Sequence, residues 1–182
     1  MDQELELDLI SKSVKGDSQA FRCLVESHQR LAYSIAFKFT RDEGESEDIT
    51  QEAFIKLWKN ISHYKEEFRF KTWLSKIVTN LCLDYLKSAR RKSKSDEKLS
   101  EEMMQTDRLE MKLEADELRD IVYKLAEQLT VKQKAVFILR DLETMEPDEV
   151  CQILQMSYGS MKSNLYYARL KVKESLQKYY NS

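Results

Sequence analysis

Apolar residues recur at three- and four-residue steps along most of this chain, the period of a helix that buries one side. Phe21, Leu24, Val25, His28, Leu31, Ala32, Ile35 and Phe39 trace the first such stripe, and Asp17-Ser18 ahead of it reads as a helix cap. A polar break holding Gly44 follows. From Glu45 to Ile61 a second stripe runs through Ile49, Ala53, Phe54, Leu57, Trp58 and Ile61. A third helix is expected from near Phe70, with Leu74, Ile77, Val78, Leu81, Cys82 and Leu86 turned inward, before the pattern dissolves into Arg90-Arg91-Lys92-Ser93-Lys94. These three helices predict one domain over 1–94.

The period then lapses. Residues from about 92 to 108 hold no aromatic ring and alternate charge with serine, so a flexible linker is expected, set at 95–112. A second helical domain is expected over 113–182, opening with Leu113, Leu118, Ile121, Val122 and Leu125 as apolar positions. Thr130-Val131-Lys132-Gln133 fits a capping box, in which the Thr130 hydroxyl and the Gln133 amide each satisfy a free amide N–H. That box starts a helix burying Ala135, Val136, Ile138 and Leu139. The fold class is therefore all-α, two small helical domains with a linker between them. Three Gly and one Pro leave few of the turns that sheets need.

Composition narrows the function classes. No apolar stretch approaches the roughly 20 residues of a membrane span, and the first residues are acidic where a secretory signal is basic and then apolar. A cytoplasmic location without membrane insertion is the expectation. Cys23, Cys82 and Cys151 are odd in number and widely spaced, which points to free, buried thiols and no metal. His28 and His63 lack a spaced carboxylate or thiol companion, and no Gly-rich phosphate loop occurs, so neither an enzyme nor a cofactor is expected. Both histidines read as structural.

The net charge of −2 hides an uneven distribution. Lys87 to Lys98 carries six Lys/Arg against Asp96 and Glu97, about +4, whereas Glu101 to Asp120 carries eight acids against three bases, about −5. Lys162, Arg169, Lys171, Lys173 and Lys178 against Glu174 make the end basic again.

That basic end has a shape suited to DNA. Pro147 fits the first turn of a short helix with Val150, Ile153 and Leu154 on one side. Gln155-Met156-Ser157 then precedes a longer run with Met161, Leu165, Ala168, Val172 and Leu176 inward. A short helix, a three-residue turn and a capped long helix form a helix-turn-helix, which sets the second helix in the major groove. The outer positions Ser160, Lys162, Ser163, Asn164, Tyr166, Tyr167 and Arg169 are the candidate DNA contacts. Lys162 and Arg169 suit phosphates, and the Asn164 amide suits the edge of adenine.

The stretch Glu149-Val150-Cys151-Gln152-Ile153-Leu154, followed by Met156-Ser157-Tyr158-Gly159-Ser160-Met161-Lys162-Ser163-Asn164-Leu165, resembles region four of bacterial sigma factors of the extracytoplasmic-function group. It departs from the usual pattern at Gln155, where glycine is common, at Cys151, where alanine is common, and at Asn164 and Tyr167, where arginines are common. Glu47-Asp48-Ile49-Thr50-Gln51-Glu52-Ala53-Phe54-Ile55-Lys56-Leu57-Trp58 is similar to the region two helix that docks on the clamp coiled coil of the polymerase β′ subunit. That similarity makes Asp48, Gln51, Glu52, Ile55 and Trp58 the candidate polymerase contacts. Without the resemblance, acids at this spacing would read as a solvated helix face.

Phe68-Arg69-Phe70-Lys71-Thr72-Trp73-Leu74-Ser75-Lys76-Ile77-Val78-Thr79-Asn80 resembles the segment that opens the −10 promoter element. Phe68, Arg69, Lys71, Lys76 and Asn80 are its candidate contacts, with Arg90, Arg91 and Lys92 following duplex phosphates. Trp73 reads as core. The resemblance implies a factor that joins RNA polymerase core, melts promoter DNA with one domain and grips the −35 element with the other, with an anti-sigma factor as a further partner. The rival from another class is a helix-turn-helix regulator that acts without replacing sigma, and a helical adaptor binding only proteins is a third.

Overall fold

The computed structural model describes residues 2–67, 69–96 and 115–180, and every regular element among them is helical. The expected linker lies mostly outside the described residues.

The first domain is built from α1 (Gln3–Val14), α2 (Ser18–Thr40), α3 (Glu43–Asn60) and α4 (Phe70–Asp96), with a single 3-10 turn at Ile61–His63 after α3. The Asp17 carboxylate caps α2 as its spacing predicts, accepting from the amides of Gln19 at 2.9 Å and Ala20 at 3.0 Å. α1 has no counterpart in the sequence reading. Its Leu5, Leu7 and Leu9 alternate at two-residue steps, which masks the helical period, while Ile10 and Ser13 are the positions buried on α2. Gly16 makes the corner between them with φ of +91°, where a side chain is disfavoured. The break before α3 is likewise displaced. Arg41 turns the chain with φ of 58°, Asp42 caps the helix, and Gly44 lies inside its first turn.

Around α2 the core closes on Leu24, Ala32, Ile35, Ala36 and Phe39, against Ile49, Ala53 and Leu57 of α3 and Phe70, Leu74 and Val78 of α4. Ala32, Ala36 and Ala53 present little more than a methyl group, so the helices approach closely. Trp73, read as core, is half-buried, tilted against Tyr64 at 5.5 Å and edge-on to Phe70 at 6.1 Å between ring centres. His28 is structural: Nδ1 lies 3.0 Å from the Leu24 carbonyl and Nε2 3.0 Å from Glu6 Oε1, tying α1 to α2.

The second domain contains α5 (Ala115–Ala126), α6 (Val131–Phe137), α7 (Pro147–Leu154) and α8 (Tyr158–Tyr180). The Thr130–Gln133 capping box forms, with both reciprocal bonds made. Past α6 the chain widens into a π-helical turn over Ile138–Leu142, closed by the Glu143 amide on the Ile138 carbonyl at 2.8 Å. That wider turn swings Glu143 toward α2.

The two domains share one apolar core, in which Val136, Leu139, Val150 and Ile153 join the residues of α2 and α4. Polar contacts rim the seam. Lys134 Nζ donates to the Phe39 carbonyl at 3.0 Å, Thr72 Oγ1 to Glu149 at 2.9 Å, and the Arg41 guanidinium lies 4.2 Å from the Tyr123 ring centre.

The thiols are free, but burial corrects the expectation for two of them: Cys23 is exposed on the outer side of α2 and Cys151 is half-buried, leaving Cys82 in the core. Burial pushes the Cys82 thiol up to about 12, and burial with nearby Asp148 raises Cys151. The folded chain therefore holds the Cys82 proton where an unfolded chain would lose it. Its contribution to stability is complete below the ordinary thiol range, about 8.5, and falls as pH climbs toward 12. Alkylation under native conditions should modify Cys23 first and Cys151 more slowly, with Cys82 reacting only on unfolding; equal native rates by mass spectrometry would contradict this packing.

Candidate functional site

Three surfaces carry the residues singled out from the sequence. On α3, the inward stripe Ile49, Ala53, Phe54 and Leu57 forces the other side outward, so Asp48, Gln51, Glu52, Ile55 and Trp58 all lie exposed along one ridge. Ile55 is 53% exposed and Trp58 38%, the latter resting on Phe21 at 4.7 Å between ring centres. One turn apart and flanked by acids, the two make a small amphipathic patch on this helix. Glu52 is paired with Lys56 at 2.9 Å across one turn, in the open.

The second surface lies at the start of α4. Arg69, Lys71 and Asn80 are exposed, and the Arg69 carbonyl accepts the first helical amides of Thr72 and Trp73. Lys76 is half-buried and lines a cavity of about 430 Å³ together with His63, Tyr64, Lys65, Thr72 and Trp73. Tyr64 and Lys65 were missed in the sequence, where an aromatic beside a cation in a short inter-helix turn was the available signal. The far wall of the cavity is Cys151, Gln152, Ile153 and Gln155 of the second domain. Phe68 lies outside the described residues; Arg90, Arg91 and Lys92 lie on the α4 backbone with side chains outside them.

The third surface is the outer side of α8. Met161, Leu165, Ala168 and Val172 are buried as the spacing predicts, and Lys162, Ser163, Tyr166 and Tyr167 project into solvent. Ser160 and Asn164 are half-buried, and the Asn164 amide donates back to the Ser160 carbonyl at 2.8 Å. Arg169 is held within its own domain: Nε and Nη2 grip the two Asp141 oxygens at 2.8 and 2.6 Å, and this hydrogen-bonded pairing raises the guanidinium further. A phosphate would have to compete with that carboxylate. Ser157 caps the helix, its Oγ accepting from the Ser160 amide at 3.3 Å.

Between the two helices the turn is made by Gln155 with φ of 50° and ψ of 49°. A side chain there clashes with its own backbone in a way glycine avoids. Among the described residues no group of three His, Cys, Asp or Glu side chains stands ready for a metal, and no helix is long and apolar enough to cross a membrane.

The fold is thus a helical domain with an acidic-apolar ridge and a cationic aromatic face, followed by a helix-turn-helix domain. The sigma-70 region 2 family model matches residues 24–92, and the sigma-70 region 4 model matches residues 119–172. The ECF RNA polymerase sigma factor SigW of Bacillus subtilis is 30% identical, over 92% of this chain and 95% of that one. RNA polymerase sigma-H factor of Pseudomonas aeruginosa is 26% identical over 96% of this chain and 95% of its own. The structure of CnrH in complex with the cytosolic domain of CnrY superposes with a TM-score of 0.70 at 19% identity, covering 96% of this chain and 98% of that one. The Bartonella quintana sigma factor RpoE, solved with the anti-sigma factor NepR, gives 0.67 at 17% identity, covering 86% and 96%. The chain belongs to the extracytoplasmic-function group of the sigma-70 family. It is a transcription initiation factor that directs RNA polymerase to promoters, and not an enzyme. Membership in the family decides against the regulator acting beside sigma and against the protein-only adaptor.

The strained turn yields a check on the helix-turn-helix geometry. Gln155→Gly should raise the thermal midpoint, by the equivalent of about 1 kcal/mol, and Gln155→Val should lower it. A calorimetric scan in which glycine destabilises would show that Gln155 does not hold the left-handed conformation.

Proposed function

We propose that the α3 ridge of Asp48, Gln51, Glu52, Ile55 and Trp58 is the surface that captures RNA polymerase, at the clamp coiled coil of its β′ subunit. The supporting observation is the exposure of Ile55 and Trp58 on a side of α3 flanked by Asp48 and Glu52. Acids steer a basic helical partner and the apolar pair supplies the contact that excludes water.

The domain at 1–94 then binds core and opens the −10 element, 95–112 links, and 113–182 reads the −35 element. Tyr64 and Trp73 offer ring faces to unstacked bases, with Lys76, Lys71 and Arg69 for the backbone; stacking is worth about 1–3 kcal/mol per base and offsets the cost of flipping one. Asn80 adds an exposed amide on α4, and Phe68, Arg90 and Arg91 are assigned to the same element by their place in the sequence. On α8, Ser160, Lys162, Ser163, Asn164, Tyr166, Tyr167 and Arg169 form the −35 face, with Lys162 on phosphate and Arg169 released from Asp141 to reach one. Two sites about two DNA turns apart lie ~70 Å from one another, a span that ~20 linker residues cover when extended. The location that follows from this role is the cytoplasm. An anti-sigma factor completes the set of partners, by similarity to the relatives solved with one.

Charge reversal tests the ridge. Asp48→Lys, Gln51→Lys and Glu52→Lys combined should weaken capture of polymerase core by at least about a hundredfold, and Ile55→Ala should cost about tenfold, measured by fluorescence titration. Unchanged capture by the triple variant would sink the assignment.

A further inference from the structure

Burial of Met161, Leu165, Ala168 and Val172 fixes which side chains of α8 meet the outside. Opposite that stripe the helix carries Ser163, Tyr166, Tyr167 and Leu170. The two tyrosines are 64% and 57% exposed, more than any other large hydrophobic side chain among the described residues. They brace each other edge-on, with ring centres 5.4 Å apart. A tyrosine has only two side-chain torsions to freeze, so a braced pair presents its rings to a partner at little entropic cost.

The groups on α8 that would read a base through paired hydrogen bonds are engaged within their own domain. A guanidinium suits guanine because it meets N7 and O6 together. The single arginine of α8, Arg169, commits Nε and Nη2 to the two Asp141 oxygens at 2.8 and 2.6 Å. An asparagine amide suits adenine, but Asn164 is half-buried and donates to the Ser160 carbonyl at 2.8 Å. Lys162 stands to one side, its ammonium 5.9 Å from the Tyr158 ring centre, and lines one flank of the helix with Arg169 and Lys173. Cations along a flank suit phosphates, which position a helix without choosing a sequence. The crest between buried stripe and solvent is left to the tyrosine rings.

We propose that this chain reads its upstream promoter element through thymine methyl groups and not through guanine. With the cationic flank against phosphates, the crest of α8 enters the major groove, and Tyr166 and Tyr167 lie against the C5-methyl groups that thymine alone projects there. Ser163 beside them has a hydroxyl that both donates and accepts, so it adds contact without choosing a base. The selected element therefore carries A·T pairs under the two rings. The inference rests on the assignment of α8 to the −35 element and specifies what that surface recognises.

The test uses polymerase holoenzyme reconstituted with the full chain and a pool of promoter duplexes randomised over the upstream element. Sequencing of the templates that yield transcripts should return A·T pairs at two or more neighbouring positions. Deoxyuridine then replaces each selected thymine in turn, which removes the methyl group and leaves base pairing intact. Under the rings each replacement should weaken promoter binding about fourfold at fixed salt, the worth of one buried methyl group. Tyr166→Ser and Tyr167→Ser, checked by circular dichroism for retained helix, should each abolish that penalty at one position and keep it at the other. Tyr167→Arg should turn the preference at its position from A·T to G·C. Guanine selected by the wild type at the contacted positions, or deoxyuridine tolerated throughout, overturns the methyl reading while leaving α8 on the element. Tyrosine variants that weaken every element alike overturn it too. An active holoenzyme with no upstream preference at all overturns the assignment of α8 itself, and the inference with it.

Discussion

The burial of α2 between α3 and α4 is the constraint from which both working surfaces of the first domain follow. Phe39, Leu57 and Leu74 are withdrawn from water in one core, and alanines at 32, 36 and 53 let the helices approach until those large side chains interlock. Once that stripe of α3 is committed inward, helical geometry leaves Asp48, Gln51, Glu52, Ile55 and Trp58 no place but the surface. The same packing fixes the azimuth of α4 and sets Trp73 and Lys76 beside Tyr64. The ridge and the cationic aromatic face are thus two consequences of one apolar contact.

The join between the domains has a different character. Its centre is apolar, through Val136, Leu139, Val150 and Ile153, and polar contacts join the domains around it, from the Lys38 ammonium to the Leu142 carbonyl and from the Lys134 ammonium to the Phe39 carbonyl. On α4, Ser75 Oγ and Thr79 Oγ1 are buried without a hydrogen-bond partner.

Most of the helices were legible because their stripes are long and their starts are chemical: Asp17 and the Thr130–Gln133 box cap through hydrogen bonds, and Pro147 suits a first turn because it has no N–H to leave unpaired. α1 was hidden by alternating leucines. The π-helical turn at Ile138–Leu142 was illegible because it answers to packing against α2 rather than to local preference. The shortened break before α3 came from Arg41 accepting a left-handed conformation that composition assigns to glycine. Of the site, the exposed ridge on α3 could be read directly from periodicity, but its role could not, since acids on a helix are ordinarily solvated. Arg169 shows the limit most plainly: a basic residue on the reading helix looks free in sequence, and here it is clasped by Asp141 from another turn of the same domain.

The central claim is that two nucleic-acid grips of modest strength become one promoter specificity when the ridge joins them to polymerase. Transcription by purified polymerase core, supplied with this chain and genomic DNA and read by sequencing the 5′ ends, tests it most directly. The account predicts starts at a restricted set of sites that share two separated elements upstream, present only when the chain is added. Starts no different from those of core without it would contradict the account.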